Sequence, residues 1–142
     1  MDSNMPYNGT LESKVQTRFK LSALWAALMF LYLYADVFSL YRPGQVDKLA
    51  AGQIGPFAVS QGTLLIFSTL MLIPALMVFL SLALKPGLAR WLCLILGAVY
   101  TLVNLSNLLG ETWAYYILYG VVEIGLTALI VIFAWRWRPA KA

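Results

Sequence analysis

The stretch LSALWAALMFLYLYADVFSLY, residues 21–41, decides the fold. It is 21 residues long with Asp36 as its only charged side chain, about the length an α-helix needs to cross the hydrocarbon of a bilayer. Lys14, Arg18 and Lys20 precede it, as basic residues precede a cleavable signal. The apolar run is longer than a typical signal core and lacks a small-residue cleavage site, so it reads as a retained span.

Composition extends that reading to the whole chain. Of 142 residues, 61% are hydrophobic and 11% charged, with a mean hydropathy of +0.78; a soluble domain carries about a quarter charged residues. Further apolar runs lie near residues 58–84, 88–109 and 113–135, each long enough to span. The connection 42–57 opens on Arg42-Pro43-Gly44 and closes on Gly55-Pro56, with one turn of interfacial helix expected at 46–51. Lys85-Pro86-Gly87 and Gly110-Glu111-Thr112 make the short turns between the later runs. Short turns join antiparallel neighbours, so the predicted fold is an all-α membrane protein, an antiparallel up-down bundle of four transmembrane helices. Residues 1–20 form a polar segment, with a helix starting near Ser13 from its capping-box spacing to Gln16; 21–135 form the single transmembrane domain and 136–142 a basic tail.

Charge sets the expected orientation. With the N-terminus in the cytoplasm, that side collects Lys14, Arg18, Lys20, Lys85, Arg90, Arg136, Arg138 and Lys141, against Arg42 and Lys48 outside. The positive-inside rule then places both termini in the cytoplasm of a multi-pass protein of the cell's inner (plasma) membrane. Trp25, Trp91, Trp135 and Trp137 fall near the inner interface, and Tyr41, Trp113, Tyr115 and Tyr116 near the outer one, as aromatic belts require. The strong bias, with a Glu in the fourth span rather than the first, argues against a dual-topology exporter of the small multidrug resistance type. The net charge of +4 is scattered at the ends of apolar runs rather than gathered in a patch, so nucleic acid is not an expected partner. One cysteine, Cys93, and no histidine leave no internal disulfide and no imidazole ligand; no cofactor or metal is expected, and Cys93 reads as a packing residue.

Polar residues inside the spans mark the candidate site. A carboxylate at the centre of a transmembrane helix costs about 2.5–3.5 kcal/mol on insertion scales, so it should face a bundle interior, a partner or water. Asp36 lies roughly 7–8 Å of helix from the outer end at Tyr41, with Tyr32 on its face. Tyr100, Asn104 and Asn107 form a stripe in the third span; Tyr116, Tyr119 and Glu123 descend a face of the fourth, continued by Thr127. The expected cavity, open to the outside, is lined by Tyr32, Asp36, Asn104, Asn107, Tyr119 and Glu123. Ordinary roles stand beside this one. Asparagines glue membrane helices, Tyr115 and Tyr116 suit a belt, and Asp36 could be hydrated or pair with Arg42. Glu123 is harder to assign a structural role: it sits roughly 15 Å from either end with no Lys or Arg at its depth, so either it holds a proton or water reaches it. Pro74 frees the carbonyl of Leu70 and makes either a hinge or a static kink. Gly97, Gly120 and Gly125 are expected to allow close helix approach.

Tyr32-Leu33-Tyr34-Ala35-Asp36, the Ile73-Pro74 step and Val122-Glu123-Ile124 resemble a family of small uncharacterised bacterial four-span membrane proteins, over roughly residues 20–138. The resemblance implies the four-span fold and draws attention to the two acids. It brings no activity or catalytic residue with it. The leading functional expectation is a protein that binds or transports a small neutral or cationic solute, with Asp36 or Glu123 as counter-charge or proton carrier, and a homodimer or larger assembly if it transports. The alternatives are an accessory subunit whose acids pair with a partner's basic residue, and an acid/base isomerase, cyclase or hydratase acting on a lipid or terpenoid. No nucleophile motif supports the enzyme, and the bilayer is the one partner expected in every case.

Overall fold

The computed structural model describes residues 7–137, with side chains from residue 15 onward. Arg138, Lys141 and most of the basic tail lie outside the described residues. The elements run α1 (Tyr7–Ser39), α2 (Gln45–Ala50), β1 (Gln53–Ile54), β2 (Phe57–Ala58), α3 (Gln61–Ala83), α4 (Pro86–Asn107) and α5 (Ala114–Arg136). Four of the helices are long and apolar enough to cross a membrane.

Each boundary has a local cause. The hydroxyl of Ser60 accepts the amide of Thr63 to cap α3. Pro86 begins α4, where its missing N–H costs nothing. Helix α1 starts at Tyr7, ahead of the start expected near Ser13. At 33 residues it is about 50 Å long, well beyond the roughly 30 Å hydrocarbon, and the excess is its polar beginning. The connection between α1 and α3 holds α2 where one interfacial turn is expected, followed by an unforeseen hairpin. Gln53 pairs with Ala58 and Ile54 with Phe57 around a two-residue turn in which Gly55 takes φ +55°, the glycine that such a turn needs at its first position.

Side-chain bonds establish the antiparallel arrangement. At one end Arg18, early in α1, donates from Nε to the carbonyl of Ser81 at 3.0 Å and from a terminal nitrogen to that of Leu84. Arg90, early in α4, donates likewise to Ala134 and Trp135 at 3.0 and 3.3 Å. Two arginines thus satisfy the orphan carbonyls that end α3 and α5, where the helix dipole favours a cation. Helix α1 packs on α3 and α5, and α4 packs on α5 and more sparingly on α3, so α1 and α4 face each other across the bundle.

The core is concentrated away from the connection that holds α2. Leu21, Trp25, Leu28, Met77, Ala89, Cys93 and Ile130 are almost wholly buried. Trp25 meets Tyr100 edge to face at 6.1 Å across the bundle. Trp25 and Trp137 are therefore core residues, not belt residues, while Trp91 and Trp135 remain exposed; helical rotation, which depth alone does not reveal, sets the helical ones apart, and Trp137 follows the end of α5 in extended backbone. Cys93 is buried and free, the packing position expected of it.

Glycine roles divide. A Cβ on Gly97 would stand 2.9 Å from Val131 Cγ2 and 3.1 Å from Ile130 Cγ2, and one on Gly120 would strike Leu108. Gly125 faces open space, so the close approach expected there does not occur. Gly97→Ala should cost about 1–3 kcal/mol by overpacking the α4–α5 contact, measured by SDS unfolding in mixed micelles. Gly125→Ala should be neutral or slightly stabilising, because alanine is the better helix former.

Candidate functional site

The polar half of the bundle encloses a cavity of about 450 Å³. Helix α1 lines it with Tyr32, Ala35 and Asp36, and α3 with Phe67, Leu70 and Met71. Tyr100, Val103, Asn104 and Asn107 come from α4, Tyr116 and Glu123 from α5, and Ile54 from the hairpin. Of the expected set, Tyr32, Asp36, Asn104, Asn107 and Glu123 meet here. Both acids reach one space, although 87 residues separate them in the chain.

Tyr119 does not join them. Its ring packs edge to face on Phe38 at 6.2 Å, in an outer groove shared with Tyr41, Arg42, Trp113 and Tyr115. Tyr116 takes the cavity position instead. Seven residues are almost two helical turns, so Tyr116 shares the stripe of Glu123 within about 20°, whereas Tyr119 is rotated by roughly 40°. The signal for Tyr116 was present in that spacing, but its depth suggested a belt residue. Thr127 is buried and bonds the carbonyls of Glu123 and Ile124 on its own helix.

The wall is ordered by two hydrogen bonds across the bundle. The hydroxyl of Tyr32 donates to Asn104 Oδ1 at 2.8 Å, so the asparagine does bond a second helix. Its Nδ2 is buried with no partner among the described residues. The hydroxyl of Tyr100 donates to the carbonyl of Leu70, the very group that Pro74 leaves without its helical N–H. Pro74 is itself buried, and this bond ties the turn of α3 that precedes it to α4.

The acids have no comparable support. Glu123 is only 6% exposed and Asp36 is exposed beside the cavity. Among the described residues neither carboxyl has a hydrogen bond or ion pair, though the two lie within electrostatic reach of one another. Arg42 does not pair with Asp36. Its guanidinium instead meets Glu111 at 3.1 Å and the Tyr115 hydroxyl at 2.7 Å, and lies 5.0–5.3 Å from the ring centres of Trp113, Tyr115 and Tyr116. That cluster fastens the end of α1 to the α4–α5 turn and engages the Arg42 guanidinium.

Glu111 also accepts the amides of Thr112 and Trp113 through Oε1, at 2.9 and 3.0 Å. Burial alone would push its carboxyl up, but those two N–H groups and Arg42 outweigh it and hold the carboxyl below its ordinary 4.5. A depressed folded value means stability that is present above the unfolded value and lost as pH falls through the folded one. Wild type should therefore lose thermal stability below about pH 4.5 more steeply than Glu111→Gln, measured by melting across pH 3–6; parallel curves would show that this carboxylate contributes nothing.

No curated protein and no solved structure matches the chain. The chain belongs to DUF6326, a family of unknown function, which it matches over residues 10–142.

Proposed function

We propose that the protein is a multispanning plasma-membrane protein that binds, and in an assembly transports, a small neutral or cationic solute through its intramembrane cavity. The observation that carries this reading is the pair of carboxyls, Asp36 and Glu123, facing one cavity with no basic residue or hydrogen bond to satisfy either among the described residues. An acid kept at such depth is costly, and the volume falls in the range of pockets that take small organic molecules. Asp36 and Glu123 act as counter-charge or proton carriers, Tyr32 and Asn104 shape the wall, and both termini face the cytoplasm so that the cavity faces outward. The basic ends of the spans support that orientation.

Labelling tests orientation and occupancy together. In a Cys93→Ser background, Asn107→Cys places a thiol on the cavity wall. A membrane-impermeant maleimide should label it in intact cells, and a solute that binds should slow the labelling. Labelling confined to inverted vesicles would overturn the outward orientation, and no slowing across a broad solute panel would overturn solute binding. An accessory role draws its one support from the exposure of Asp36, which a partner's basic residue could cover.

A further inference from the structure

The cavity wall restricts the class of solute. Asp36 and Glu123 are the ionisable acids of the wall, and among the described residues no Lys or Arg lines the space. Arg42 does not line the cavity, and its guanidinium is engaged by Glu111 and three aromatic rings. Three phenols, Tyr32, Tyr100 and Tyr116, and the ring of Phe67 share the wall with the carboxyls. Aromatic faces beside carboxylates are the surroundings in which a substituted ammonium ion is desolvated at least cost. An anion would meet two carboxyls and no donor cation.

Asn104 is an independent observation. It is fully buried in the cavity wall, and while Oδ1 accepts from Tyr32, Nδ2 has no acceptor among the described residues. A buried N–H without an acceptor is unfavourable, and a solute oxygen in the adjoining cavity that reached it would relieve it.

We infer that the cavity takes an organic ammonium ion that also carries a hydroxyl or carbonyl oxygen, the cationic end held by Asp36, Glu123 and the tyrosine rings and the oxygen by Asn104. This rests on the solute-binding reading above. The source is a free solute, because a phospholipid headgroup would bring its phosphate beside the two carboxyls.

Wild-type protein in detergent tests this without any substitution. The probes are choline, tetramethylammonium, neohexyl alcohol (the uncharged carbon isostere of choline) and glycerophosphocholine, each measured by calorimetry. Choline should bind at least about tenfold tighter than neohexyl alcohol and roughly threefold tighter than tetramethylammonium. Equal binding of choline and the alcohol would overturn the cationic class, and equal binding of choline and tetramethylammonium would overturn the oxygen contact. Glycerophosphocholine matching choline would overturn the free-solute source. If no probe binds while some neutral solute still protects Asn107→Cys, this inference fails and solute binding stands. If none binds and nothing protects, both fail.

Discussion

Glu123→Gln is expected to fold as wild type does and to lose solute binding by at least about tenfold. The substitution keeps shape and removes only the charge or exchangeable proton. In the fold the Glu123 carboxyl makes no hydrogen bond or ion pair among the described residues, so the variant breaks no side-chain contact of this kind, and removing a costly buried carboxyl should leave stability equal or slightly higher. Asp36→Asn should weaken binding less, because Asp36 is exposed while Glu123 is enclosed and the water-excluded group interacts more strongly with a solute. Binding measured on the purified variants against thermal melts separates the two effects. A Glu123→Gln protein that binds fully makes the carboxyl a structural element and favours the accessory role. Carboxyl infrared difference spectra of wild type against Glu123→Gln, with and without solute, would show whether the proton state follows occupancy.

The second large effect concerns the kink. Tyr100→Phe removes one hydroxyl and leaves the ring, with its edge-to-face contact to Trp25, in place. It also leaves the Leu70 carbonyl, already deprived of an N–H by Pro74, without its protein donor. The cost should be about 1–3 kcal/mol, read from SDS unfolding in mixed micelles. Pro74→Ala restores the helical N–H to the same carbonyl, so Tyr100→Phe should cost much less in that background. Equal cost in both backgrounds would mean that the hydroxyl does not serve the kink. A strong interaction between the two sites would favour the static kink over the hinge, since a hinge that moved would have to break this bond.

Class and span positions were legible in the sequence because both follow from one-dimensional quantities. The length of residues 21–41, the sparse charge and the Pro-Gly turns set helices that must satisfy their own backbone in lipid, and α3, α4 and α5 begin and end within about three residues of the apolar runs. The depth of Asp36, Asn104 and Glu123 followed from counting along those runs. Their convergence needed the bundle itself, because which side of a helix faces inward depends on how it is rotated against its neighbours. A rotation of about 60° separates Tyr116 in the cavity from Tyr119 outside it, and the same geometry buries Trp25 while leaving Trp91 and Trp135 exposed. Partner choice likewise belonged to the tertiary structure. Asp36 is far nearer than Glu111 to Arg42 in the chain, yet the α4–α5 turn brings Glu111 and three aromatic rings to it, and Tyr100 arrives from another helix to complete a carbonyl that Pro74 alone left open.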